Sequence, residues 1–232
     1  MIFLALDTST EACSVALSYH GQLLAFDEVC PQQHSKRILP MVQQLLADAG
    51  IGLHQVNGII FGRGPGSFTG VRIGVSVAQG LAFGVDVPLY GVSTLAAMAQ
   101  AAAQQHAAKQ VIAAIDARMA EVYMAVYTLN AKGVMQASTP EVAAKPAALP
   151  SAITDLQLDP GVIGVGTGWQ TYGDALSLLK PATIASDILY PSAQFMLPYS
   201  LDAWQHGHFV AAEHAEPVYV RDEVTWQKLP GR

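Results

Sequence analysis

Two aspartates in this sequence close apolar runs, and each is followed at once by groups that could meet a phosphate. In LDTSTEACSVAL, Asp7 precedes Thr8, Ser9 and Thr10; in AAIDARMAEVY, Asp116 precedes Arg118 and Met119. A carboxylate so placed could hold a magnesium-bound water while hydroxyls and backbone N–H groups approach a phosphate. Close backbone approach calls for glycine in the turn, and neither turn has one. DTST suits a simpler arrangement in which Asp7 and Ser9 satisfy turn amides. Arg118 could serve as a phosphate ligand or, between Asp116 and Glu121, as a local ion-pair partner.

The segment GRGPGSFTGVRIG, residues 62–74, places Gly64, Gly66, Ser67, Thr69, Gly70, Arg72 and Gly74 between a strand-like run and a helix-like one. It is no Walker loop, because it ends in TGVR and not in Gly-Lys-Ser/Thr, and no register gives G-x-G-x-x-G. Gly66, Gly70 and Gly74 at intervals of four clear one helix edge for another backbone. Ser67 and Thr69 suit a helix start, where free N–H groups could hold an anion. No metal centre is expected: H-E-x-x-H is absent, and His206 with His208 in QHGH reads as a solvated helix end.

The elements that must carry these groups follow from periodicity. Residues 2–6, 12–18 and 22–29 read as three successive strands with a turn at His20–Gly21. HSKRILPMVQQLLADAG reads as a helix with Ser35 as N-cap, Gly50 past its end and a bend at Pro40. VNGIIF reads as a strand, 70–83 as a helix apolar nearly all round, VPLY as a short strand, and a third helix starts at Ser93. The pattern then restarts, with Asp7 aligned to Asp116, Glu11 to Glu121, and the turn at Gly21 to that at Gly133. Such self-similarity predicts two related lobes, residues 1–106 and 107–232. The second copy is eroded: PEVAAKPAALP reads as a loop, GVIGVG as a strand, 169–179 as a helix, with one more helix within SAQFMLPYSLDAWQHG and a surface tail over 215–232.

With 232 residues, 51% of them hydrophobic, the chain can fill one large domain or two small ones. A net charge of -6 argues against this chain alone gripping a nucleic-acid backbone, so RNA chemistry would need a more basic partner. Cys13 and Cys30, both in strand-like stretches, read as reduced, buried thiols. The first apolar run has no basic flank and fits a core strand better than a signal peptide. No run approaches the ~20 apolar residues of a membrane helix, so a cytoplasmic protein without membrane partners is expected.

Two copies of strand, strand, strand, helix, strand, helix resemble the actin-like ATPase fold: an α/β architecture of two ribonuclease H-like lobes with mixed sheets flanked by helices. LDTSTEACSVAL, HSKRILP, GRGPGSFTGVRIG, GVSTLAAMA, DARMAEVY and EPVYVRDEVTWQKLPG together resemble the bacterial TsaB family, also called YeaZ, nearly end to end. The resemblance implies a non-catalytic role in forming N6-threonylcarbamoyladenosine at position 37 of tRNAs that read codons starting with A. The implied partners are the catalytic paralogue TsaD, the ATPase TsaE and, indirectly, the adenylate-forming enzyme TsaC and tRNA, with a homodimer when TsaD is absent.

The resemblance gives the candidate sites a direction. TsaD is expected to carry a His pair four residues apart on the helix after its fifth strand; here those places read Thr94 and Met98, so neither a metal nor a catalytic residue is expected, and no cofactor. Asp7, Ser9, Asp116 and Arg118 become a vestigial nucleotide cleft. GVGTGW, residues 164–169, stands where related ATPases contact adenosine, and Trp169 could stack on a base or fill its space. A metallopeptidase reading ranks behind an ATP-dependent kinase-type alternative. Ile38, Met41, Val42 and Leu45 of the first helix, with Val71, Val75, Ala78, Gln79 and Ala82 of the second, are candidates for a four-helix contact with TsaD or a second copy. Glu216, Tyr219, Arg221 and Trp226 match the family's tail pattern.

Overall fold

The computed structural model describes residues 1–149 and 157–221. Its first sheet contains β1 (Phe3–Asp7), β2 (Ala12–Tyr19), β3 (Gln22–Val29), β4 (Gly58–Gly64) and β5 (Leu89–Ser93) in the order β3-β2-β1-β4-β5. β1 lies antiparallel to β2 and parallel to β4. The second sheet contains β6 (Gln110–Arg118), β7 (Glu121–Leu129), β8 (Met135–Ala137), β10 (Ile163–Val165) and β11 (Thr183–Ala185). Read as β8-β7-β6-β10-β11, it repeats the first sheet strand for strand, with the same antiparallel and parallel pairings around β6. The internal duplication read from the two aspartates is therefore a duplication of topology. β9 (Val142–Ala144) adds to β7 from within the Ala- and Pro-rich stretch expected as loop.

Each central strand is apolar on successive residues because both its faces are covered. All five residues of β1 are buried, as are the first six of β6. The β2–β3 turn is the two-residue hairpin kind, with His20 at φ 48° and Gly21 at φ 78°, conformations that suit the twist of the flanking strands.

Three helices fill the spaces around the first sheet. α1 (His34–Ala49) ends, as read, at Gly50 in the left-handed region. Its start differs: Gln33 occupies the cap with no side-chain bond, and Ser35 lies already inside the helix. α2 (Phe68–Val85) begins at Ser67, whose hydroxyl accepts from Gly70 N–H at 3.4 Å, and α3 (Thr94–His106) at Ser93, which accepts from Ala96 N–H at 3.3 Å. Residues Thr94 to Ala102 of α3 are all buried. Its alanines let the helix sit between the two sheets, in a core holding Phe3, Ala5 and Ile60 of one and Val111, Ala113 and Ile115 of the other.

Separate cores lie under α1 and α2 and under α4 (Thr167–Leu176). The last α-helix among the described residues is α5 (Leu197–Gln205), preceded by a 3-10 turn over Ala193–Met196. α2 alone among the described helices has the length and composition to cross a membrane, with a mean hydropathy of 1.3 over 18 residues. In this fold its inner edge covers the first sheet.

Candidate functional site

A cavity of about 910 Å³ opens between the lobes, walled by both aspartate turns, the starts of α1 and α2, and residues 218–221. Ser9, Thr10, Asp116 and Arg118 line it; Asp7 does not. The Asp7 side chain is folded into the protein, 1% exposed, with Oδ1 accepting from Ser9 N–H at 2.8 Å and from Ser9 Oγ at 2.7 Å. Oδ2 is buried without a hydrogen-bond partner and lies where a Cβ on Gly62 would stand. Burial pushes the carboxyl up to about 6; the two Ser9 hydrogen bonds oppose that shift and the nearby Asp27 adds to it.

The glycine segment explains why this turn is closed. A Cβ on Gly66 would run into the Ser9 carbonyl oxygen, one on Gly70 into the Thr8 carbonyl oxygen, and one on Gly74 would come within 2.8 Å of Thr8 Oγ1. The contact is also bonded: Thr8 Oγ1 donates to Gly70 O at 2.7 Å, and Ser67 N–H donates to Ser9 O at 2.7 Å. The bare helix edge read from the glycine spacing is occupied from inside the chain by the Thr8–Ser9 turn. Gly64, at φ 97°, lets the strand turn into this segment. Thr69 is exposed.

Thr94 Oγ1 donates to Ser9 Oγ at 3.0 Å, so a hydroxyl backs the turn from the position where the resemblance expects a histidine in TsaD. Met98 packs near Gly166, where φ is 103° and an added Cβ would run into the Ala114 carbonyl oxygen. Trp169 is 4% exposed; its ring lies against Gly164, and its Nε1 donates to Ile112 O at 3.3 Å. Its indole is core.

The second aspartate turn is built differently. Arg118, Met119 and Ala120 follow one another at φ 63°, 57° and 59°, a left-handed conformation that costs a side-chain-bearing residue roughly 1 kcal/mol each. Asp116 Oδ1 accepts from Arg118 N–H at 2.9 Å, and Tyr172 Oη donates to the same oxygen at 3.3 Å. The Arg118 side chain does not pair locally. It crosses the cleft to Glu11 at 2.6 Å, while Glu121 is taken by Arg221 at 2.6 Å. With Arg118 74% exposed, the Glu11 pair adds little to stability.

The helical flank needs a correction. Ile38, Met41, Val42, Leu45, Val71, Val75, Ala78 and Ala82 are all buried in the first lobe's core. Their helical spacing aims them at the sheet and not at a partner. Gln79 is half-buried and donates to the carbonyls of Ala212 and Ala215, both at 3.0 Å. The outer edge of α2 carries Phe68, 48% exposed, Arg72, half-buried Ile73, Val77 and Leu81, and Phe83, 80% exposed. Leu39 of α1 is 49% exposed, and a groove of about 430 Å³ runs along Ser35, Phe68, Arg72, Ile73 and Val77. A helix apolar all round does not reveal which stripe is outermost, so Phe83 escaped the sequence reading, and Leu39 stands off the apolar stripe by which α1 was read.

Cys13 and Cys30 are buried thiols, and burial pushes Cys13 up to about 12. His206 and His208 stack on each other at 5.8 Å, both exposed. Among the described residues no three His, Cys, Asp or Glu side chains stand together as metal ligands do. In the tail, Tyr219 and Arg221 contact Arg72 and Glu121; Trp226 lies outside the described residues.

Comparison with known proteins places this geometry among relatives. The family described as "TsaD: tRNA N6-adenosine threonylcarbamoyltransferase" matches residues 27–186. The tRNA threonylcarbamoyladenosine biosynthesis protein TsaB of Escherichia coli K12 is 47% identical over the whole of both chains. The Haemophilus influenzae protein of the same name is 46% identical, over all of this chain and 98% of its own. The structure of YeaZ from Pseudomonas aeruginosa is 44% identical with a TM-score of 0.84, over 94% of this chain and 99% of that one. A second structure from that organism, described as similar to peptidase YeaZ, gives 0.85.

Proposed function

The chain belongs to the TsaB family of tRNA threonylcarbamoyladenosine biosynthesis proteins, and from that premise we propose that it is the non-catalytic scaffold and activator of TsaD. In this reading TsaD transfers the threonylcarbamoyl group to adenosine 37 of tRNAs that read codons beginning with A. TsaE completes the assembly, and TsaC supplies the adenylate. The place of action is the cytoplasm, and the lobes divide at residues 106/107.

One observation carries the reading: the turn that would face a triphosphate is packed shut, with Asp7 and Thr8 each 1% exposed and Ser9 fully buried under the glycine segment. From the first lobe such a cleft offers a magnesium ion not the Asp7 carboxylate but only that of Glu11, which is already paired with Arg118. The molecule's apolar outer edge lies elsewhere, on α2 and α1. We assign the TsaD contact, or the contact with a second copy, to the edge bearing Leu39, Phe68, Ile73, Val77 and Phe83. Ile38, Met41, Val42, Leu45, Val71, Val75, Ala78 and Ala82, read from the sequence as the contact itself, support those helices from below.

Phe83→Asp is expected to leave the melting temperature of the isolated chain unchanged and to weaken TsaD binding, measured by calorimetry, by about tenfold or more. Unchanged affinity would remove α2's outer edge from the interface. Val75→Glu should instead unfold the chain, because it puts a carboxylate into the core at a position 4% exposed.

The ATP-dependent enzyme remains the second reading, since Asp116 and Arg118 do line an open cavity. Titrating the pure chain with MgATP is expected to give no binding heat. Saturable micromolar binding accompanied by phosphate release would transfer the argument to the kinase-type reading.

A further inference from the structure

The last described residues run across both lobes. After α5 the chain joins the free edge of β5 through two 2.8 Å hydrogen bonds between Leu89 and Val210. It then passes α2, where Gln79 holds the carbonyls of Ala212 and Ala215, and the end of β4, where Val218 N–H donates to Arg63 O at 2.8 Å. Tyr219 Oη accepts from Arg72 Nε at 2.7 Å, and its ring lies 5.6 Å from that of Phe68. Every one of these anchors belongs to the first lobe.

Arg221 belongs to neither side alone. Its guanidinium reaches the second lobe's strained hairpin, pairing with Glu121 at 2.6 Å, donating to Ala117 O at 3.1 Å and to Met119 Sδ at 3.6 Å, with the Tyr123 ring 5.8 Å away. The side chain is only 20% exposed, unlike the open Arg118–Glu11 pair across the same cavity. A partly buried contact of this kind is stronger than an exposed one and favours arginine, whose two terminal nitrogens meet several acceptors together while its Nε stays without a partner. Val218, Tyr219, Val220 and Arg221 also form one wall of the cavity.

We propose that residues 212–221 are a strap that sets the width of the interlobe cleft, with Arg221 as its pin. Anchored repeatedly to one lobe and by a single side chain to the other, the strap limits how far the lobes part. It also helps hold the left-handed turn at Arg118–Ala120, a conformation that persists only where its surroundings over-determine it. The inference concerns the isolated chain and stands whether or not TsaD is the partner.

The test uses the full chain with spin labels at Gln43→Cys on α1 and Asp174→Cys on α4, both exposed, combined with hydrogen exchange. Arg221→Gln and Glu121→Gln should each broaden the interlobe distance distribution. Each should also raise exchange in the 117–123 hairpin by about tenfold or more, the scale of a lost charged hydrogen bond. Arg221→Lys should restore the wild-type behaviour only in part. An unchanged distance distribution, or faster exchange confined to 216–221, would overturn the strap. So would unfolding of both variants, which would make these residues part of the fold and not a pin upon it.

Discussion

Gly70→Ala is expected to destabilise the chain by about 3 kcal/mol, read as a fall in the urea midpoint at constant slope. The added Cβ would meet the Thr8 carbonyl oxygen, with Ser67 Cβ and the Thr8 carbonyl carbon next, both at 3.4 Å. A backbone oxygen cannot rotate away as a side-chain end can. Thr8 is moreover tied to this spot by its own hydroxyl on Gly70 O and by Ser9 O accepting from Ser67 N–H. Relief therefore requires α2 to lift from the first sheet, which would open the core containing Val71, Val75 and Ala78. The same helix supplies the comparison. At Gly80 and Gly84 a Cβ would meet nothing within 4 Å, so Gly80→Ala should stabilise by about 1 kcal/mol through helix propensity alone. Equal effects at positions 70 and 80 would mean that the glycine spacing is incidental and that the closed Asp7 turn has another cause.

Position 70 also shows what the sequence could and could not disclose. Glycines at intervals of four announce a bare helix edge, and that edge exists. They do not say whose backbone fills it, and here the filler is a turn far back in the chain and not a partner. The same limit governs Arg118: a local carboxylate stood three residues away at Glu121, but the folded chain offers Glu11 across the cleft and gives Glu121 to Arg221. Long-range pairing of this kind leaves no local signature.

Elements with sustained period were legible: β1 to β3, α2 and α3 lie within a few residues of their expected places, because burial on one or both faces repeats over enough residues to be seen. β9, three residues long in an Ala- and Pro-rich stretch, has no period to read. The start of α1 went astray because Gln33, His34 and Ser35 are all polar; preference favours the serine, whereas the chain enters the helix two residues earlier without a side-chain cap. The aspartate, turn and glutamate of each copy disclosed the duplication because their order survives even where the glycine turns and the later strands have diverged.

Asp7→Asn tests the closed cleft from the electrostatic side and is expected to make the chain more stable at pH 8 by about 3 kcal/mol, with no difference at pH 3.5. The carboxyl is held in the fold at about 6 against 3.8 for an unhindered aspartate. A difference of this size corresponds to roughly 1.4 kcal/mol per unit. Because the folded value is the higher one, the folded chain binds more proton than the unfolded chain between these limits. Stability therefore falls as pH rises from about 4 to about 6 and is then level as far as this group is concerned. Asparagine keeps an oxygen for the Ser9 N–H and hydroxyl and carries no charge to desolvate, so it should lack this decline. Subtracting the two stability curves isolates Asp7 from the other carboxylates. If Asp7 were in truth a solvated, magnesium-ready ligand, its charge would already be well accommodated. The curves would then run parallel, or the asparagine variant would be the weaker one at pH 8.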